Sequence, residues 1–166
     1  YEVDTRMAAE FSANDLKKYD LVVLHQLPSS KYLIQSVLDE INKQQIPKIF
    51  LTGYQTDLYA FNKAQTLLNI DYTGNRSPNE VTMIYNPGFN SFNTSDELRN
   101  KLGTFSPLLS PFGEYAASPS AQVLAYQKIG QVDTEFPLIL MDEANDIRTC
   151  IIAGEGIWKW QLYDQL

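Results

Sequence analysis

Apolar positions along the chain follow two rhythms. Unbroken short runs occur at Leu21-Val22-Val23-Leu24 and Ile49-Phe50-Leu51, the pattern of strands covered on both faces. Between them, Leu33, Ile34, Val37, Leu38 and Ile41 recur at helical spacing and would turn one face toward a core. Ser29 or Ser30 caps that helix, and Ile46-Pro47 stops it. Upstream, residues 1–7 alternate as an edge-side strand, and Ser12 caps a short helix over residues 14–18. Downstream, Thr52-Gly53-Tyr54 makes a sharp turn. Leu58, Phe61, Ala64 and Leu68 then mark a second amphipathic helix, with Thr56 as its expected N-cap. The order β-α-β-α-β-α with short loops predicts a parallel sheet with right-handed crossovers.

The rhythm then loosens. Residues 69–80 are polar and turn-rich and predict a surface loop, followed by a strand over 81–85 closed by Asn86-Pro87-Gly88. Thr94-Ser95-Asp96-Glu97 has the form of a capping box for a helix over 96–102. Residues 105–119, with three prolines, read as ordered loop. Three strands follow, over 122–128, 137–141 and 147–153, the last two joined by a hairpin turn at Asp142-Glu143-Ala144-Asn145-Asp146. The expectation is one α/β domain over 1–166: a three-layer open, mostly parallel sheet with antiparallel C-terminal edge strands.

Composition removes several function classes. The chain has 166 residues, 44% hydrophobic and 20% charged, which suits a folded core. A formal net charge of −7 and no Lys/Arg stripe argue against nucleic acid as a partner. A lone cysteine, Cys150, excludes an internal disulfide and any multi-cysteine zinc site. No apolar run approaches membrane-spanning length, so no membrane insertion by this segment is expected.

The stretch IPKIFLTGYQTD, from Ile46 to Asp57, is the natural place to look for chemistry. A buried strand, a glycine turn and a helix start form the edge at which open α/β sheets bind ligands. Downstream, QVLAYQKIG and then FPLILMDEANDIRTCIIAGEGIWKW resemble the closing strands of class I glutamine amidotransferase-like domains, which have a flavodoxin-like fold. YDLVVLHQLPS and PKIFLTGYQTD fall where that family has a strand and the strand leading to its nucleophile elbow. The likeness is greatest to degenerate members: the ThuA-like group, the β-galactosidase trimerisation domain and domains of long membrane-anchored bacterial proteins. It implies that the family's first strand and helix lie upstream of Tyr1, and that the chain is part of a longer, envelope-associated protein. Its partners would be other domains of that protein or a separate protein. Active members carry a cysteine in the elbow and a histidine after it. Here the elbow reads Gly53-Tyr54-Gln55, and the only histidine, His25, precedes it. The resemblance therefore implies fold without glutamine hydrolysis, no catalytic residue and no cofactor.

Other candidates are weaker. His25 and Gln26 end a strand at the same sheet edge as Tyr54 and Gln55, which predicts a small polar pocket of these four residues. An alternative is a hydrolytic or carbohydrate-active enzyme using His25 and nearby carboxylates. Trp158, Trp160 and Tyr163 serve either as core over the sheet edge or as docking aromatics, and an oligomerising role is a third reading. Cys150, mid-strand, reads as a small buried hydrophobe. Asp142, Glu143 and Asp146 flank a turn that favours acids for its geometry, so no metal site is expected. Gly154-Glu155-Gly156 lacks the lysine and hydroxyl of a phosphate loop.

Overall fold

The computed structural model describes residues 2–72, 74 and 77–163, apart from the side chains of 162 and 163. Residues 2–7 form no strand. Asp4 instead accepts from the Tyr19 hydroxyl at 2.6 Å and pairs with Arg6 at 3.0 Å. Ser12 caps a 3-10 turn, Ala13–Lys18, with Asp15 completing a capping box, and Leu16 is buried beneath it. Strand β1 (Val22–His25) leads to α1 (Gln35–Lys43), which buries Leu38 and Ile41. Strand β2 (Lys48–Leu51) leads to α2 (Leu58–Ala64), capped by Asp57, whose carboxylate accepts from the Ala60 amide at 3.0 Å. Thr56, the N-cap expected from the sequence, accepts from the Gly53 amide instead and tightens the turn.

The chain continues through β3 (Leu68–Asp71), β4 (Asn79–Tyr85), α3 (Asp96–Leu102), β5 (Leu108–Ser110) and β6 (Glu114–Ala117). It closes with β7 (Gln122–Ile129), β8 (Val132–Ala144), β9 (Ile147–Ile152) and α4 (Trp158–Tyr163). Ser95 caps α3, accepting from the Leu98 amide at 3.1 Å, but the expected box does not close, because Leu98 stands where its returning acid would be. The β8–β9 turn is Asn145-Asp146, both at positive φ. Two such residues match the twist of the flanking strands, which is why Asn and Asp stand there.

The mostly parallel, three-layer, flavodoxin-like expectation is overturned by the sheet. Seven strands lie in the order β1-β2-β9-β8-β7-β4-β5. Among the described residues only β1–β2 and β2–β9 are parallel; β9–β8, β8–β7, β7–β4 and β4–β5 are antiparallel. The crossover logic holds only as far as α2. From there the chain leaves the main sheet, pairs β3 with β6 in a separate two-stranded sheet, and returns antiparallel. β1 is an edge strand with Val23 51% exposed, so its apolar run is not covered on both faces. Residues 69–80 and 105–119, expected as loops, supply β3, the start of β4, β5 and β6.

Among the described residues, three apolar clusters hold the sheet, the smallest joining Leu16, Ile41 and Ile46 beneath α1. Of the other two, one joins Leu24, Leu38, Phe50, Phe61, Leu140 and Ile151, with Phe61 of α2 meeting Phe50 of β2 edge-on at 5.6 Å. The other gathers Val81, Met83, Phe89, Leu102 and Leu138 beside α3. Each fully buried side chain of this size contributes about 1.5–3 kcal/mol.

Gln65 explains why α2 stops although Leu68 continues its helical spacing. Its buried amide accepts from the Leu67 and Leu68 amides at 2.7 and 2.9 Å and donates to the Leu68 carbonyl at 2.6 Å. The side chain thus stands in for a neighbouring strand along β3. Gln65→Leu should destabilise the protein by about 3 kcal/mol, since buried backbone donors left unpaired cost about 1–3 kcal/mol each. Urea denaturation checks this, and a loss below about 1 kcal/mol would contradict the role.

Lys48 is buried at the start of β2, bonded among the described residues only to Asn42 at 2.9 Å, and burial holds its pKa below 10.5. The unfolded chain therefore binds this proton more tightly. Stability should rise with pH between the folded pKa and 10.5. Lys48→Met should be more stable at pH 7 by about 1 kcal/mol, because a buried charge is removed. That advantage should shrink as pH climbs through the same window. Thermal melts of both proteins across pH check that the two stabilities converge.

Candidate functional site

Parallel pairing of β1, β2 and β9 brings their carboxyl ends together. The Gln26 amide donates to the Leu51 carbonyl at 2.7 Å, and the Thr52 amide to the Ile152 carbonyl at 3.0 Å. Three turns therefore leave the sheet side by side: Gln26 after β1, Gly53-Tyr54-Gln55 after β2, and Gly154-Glu155 after β9. Glu155 is fixed further by a two-way backbone bridge to Leu109, both bonds 2.9 Å.

The middle turn is gripped from both flanks. The Gln26 side-chain oxygen accepts from the Gln55 amide at 2.8 Å, and the Glu155 carboxylate accepts from the Tyr54 amide at 3.2 Å. Gly53 leaves room for both. A Cβ there would lie 2.4 Å from Glu155 Oε2 and 2.7 Å from Gln26 Cδ. At a nucleophile elbow, free amides of this kind receive the negative charge of an intermediate. In this protein the amides of residues 54 and 55 are already bonded within the chain.

In front of the turn lies an open cleft of about 730 Å³, within the size range of ligand sites. Tyr54, Tyr59, Tyr72 and Phe112 line it, with Asp57 and Asp71 among its polar groups and Lys31 as the cation. Tyr54 and Tyr59 are each 71% exposed. Lys63 fixes the Tyr59 ring, its ammonium 4.1 Å from the ring centre and 2.6 Å from the hydroxyl. Much of the remaining polar lining is engaged internally. Asn62 grips the Ile70 amide and carbonyl at 3.0 and 2.9 Å, and Ser29 accepts from the Tyr32 amide.

The four-residue pocket expected from the sequence is divided. Tyr54 and Gln55 line the cleft, whereas His25 and Gln26 do not. His25 is exposed on β1, and Gln26 meets Gln55 only through the backbone amide. The docking aromatics also part. Trp160 stacks on Phe105 at 5.2 Å and donates to the Ser106 carbonyl, while Trp158 stays 63% exposed. Tyr163 ends α4, its side chain outside the described residues. Burial pushes the Cys150 thiol up to about 11, away from nucleophilic chemistry. Asp142 accepts from the Ser120 hydroxyl at 2.8 Å, Glu143 pairs with Arg148 at 3.0 Å, and Asp146 forms part of the turn. Sequence reasoning missed Glu155 as a partner of the Gly53 turn, and also Tyr59, Tyr72, Phe112 and Asp71. Tyr59 carried a usable signal: it is a large ring lying off the apolar stripe of its helix.

No family model matches the chain, and no curated protein matches it. Among solved structures, the cytoplasmic protein STM1381 from Salmonella typhimurium LT2 is similar at 17% identity and a TM-score of 0.51, over 88% of this chain and 65% of that one. A β-galactosidase from Bacillus circulans sp. alkalophilus is similar at 10% identity and a TM-score of 0.47, over 90% of this chain and 22% of that one. The mmIFT52 N-terminal domain is similar at 7% identity and 0.47, over 87% and 70%. The chain thus spans less than two thirds of the length of the first two. At such identities the likeness concerns fold alone. This is an α/β domain with a mixed sheet.

Gly53→Ala should destabilise the protein by about 2 kcal/mol, because the added methyl displaces two hydrogen-bond acceptors from their amides. Combining it with Glu155→Ala should lose less than the sum of the single changes. A double-mutant cycle by chemical denaturation measures this, and strict additivity would mean that Glu155 and the turn are not coupled.

Proposed function

We propose that this chain is a non-catalytic binding or assembly domain, a degenerate relative of glutamine amidotransferase-like domains. In this reading the elbow survives as architecture, and its partners are other domains of the same protein or a separate protein. One observation carries the reading: Tyr54 occupies the elbow while Gln26 and Glu155 hold the neighbouring amides. The position holds a phenol where active members of that family carry a thiol, and no histidine lines the cleft to activate it. Oxyanion stabilisation by the amides of residues 54 and 55 would first require breaking two internal hydrogen bonds. The Tyr54 ring then serves as a wall of a binding cleft.

Incubation with L-glutamine and with a chromogenic glutamine anilide tests this. Ammonia or chromophore release should stay at the level of the buffer blank. Turnover that disappears in Tyr54→Ala or His25→Ala would overturn the reading.

A further inference from the structure

We infer that two copies of this chain join through the open edge of β1, the two strands pairing antiparallel across a two-fold axis at Val23. The inference stands apart from the cleft and holds whether or not the cleft binds a ligand. It starts from a contrast between strand edges. An exposed edge invites another strand, and proteins blunt it with prolines, charges or a covering segment. β5 is treated in this way: Pro107 and Pro111 flank it, and Glu155 takes both backbone groups of Leu109 at 2.9 Å. So is β3, where Gln65 holds the Leu68 amide and carbonyl and Asn62 holds those of Ile70. Among the described residues β1 pairs with β2 alone, and its outer edge has no such cover.

The direction of the free backbone groups sets the register. The Val22 and Gln26 amides donate inward, to the Pro47 and Leu51 carbonyls, so the alternate residues Leu21, Val23 and His25 turn their amides and carbonyls outward. Antiparallel pairing about Val23 sets Val23 against itself and Leu21 against His25 of the second copy. Each such pair exchanges two hydrogen bonds. Val22 then meets Leu24, and Asp20 falls opposite Gln26. No like charges face each other along this ladder, so the net charge of −7 meets no local penalty there.

Apolar area lies on both faces of this edge. Leu21 and Val23 are exposed on one. On the other, a groove of about 130 Å³ opens beside the strand, lined by Phe11, Leu24, Leu27, Ile34 and Val37 among others. Val3, Met7 and Leu33, also exposed, stand next in the chain to residues that line the groove. A short ladder alone buries less than the about 800 Å² per partner of a stable interface, and these side chains extend the contact beyond it. A second copy meets the edge on equal terms: the same free groups, apolar row and groove return across the axis, as a two-fold interface requires.

Sedimentation velocity of the 166-residue chain, from micromolar to millimolar concentration, should show a reversible shift from 18.9 kDa to twice that mass. Val23→Lys and Val23→Glu each place like charges across the axis and should weaken the dimer about tenfold. Mixed in equal amounts the two should recover it, because lysine then faces glutamate. Both change an exposed side chain and should keep the wild-type circular dichroism. Val132→Lys, at an exposed position of β8, should leave assembly unchanged. Val23→Cys supplies a measurement free of charge effects: on oxidation it should give a disulfide-linked dimer, which the wild-type chain with its mid-strand Cys150 should not. A strict monomer at every concentration would overturn the inference and leave the edge to a strand of another protein. A dimer indifferent to every Val23 substitution, or lysine and glutamate variants that do not recover a dimer together, would also overturn it.

Discussion

The parallel pairing of β2 with β1 on one side and β9 on the other is the constraint on which the site depends. Each strand is short, four to six residues, and the ladders contribute little beyond alignment. Alignment is what the site needs. Residues far apart in sequence, Gln26, Gly53 and Glu155, meet because three strands end at one level. Phe50 and Phe61 then anchor the middle strand to the helix that follows it. The turn between them is held by the core below and by hydrogen bonds on either flank.

Much of this framework was legible in the sequence, and the failures have physical causes. Leu38 and Ile41, Ser95 with its helix, and the hairpin at Asn145-Asp146 follow from local periodicity, capping and turn chemistry. Those signals need no knowledge of the rest of the chain. Strand direction is different, because an apolar run such as Leu21–Leu24 looks the same at an edge or in a centre. Only the route of the chain after α2 decides how the sheet is filled. That route hinges on Gln65, whose side chain ends a helical pattern that Leu68 would otherwise extend. Strands β5 and β6 are three and four residues long and sit among prolines, too short to leave a period.

The site divides along the same line. The turn at Gly53 was readable because a strand, a glycine and a helix start follow one another within a dozen residues. Its occupants were not, because Gln26 and Glu155 reach it only through the sheet order. The cleft was hidden for a related reason: Tyr72 and Phe112 flank the small sheet of β3 and β6, an element that the sequence reading had placed in loops.

Gly53 finally bears on how this turn can change over time. Its missing side chain is the space that Glu155 and Gln26 occupy, so the three positions are bound into one steric unit. A thiol arriving at position 54 would find its neighbouring amides already claimed. Gaining reactivity would require clearing two further side chains, each of which now supports the turn. Such a lock makes a local packing arrangement a unit whose three positions tolerate change only together, leaving the outer wall of the cleft as the part free to vary.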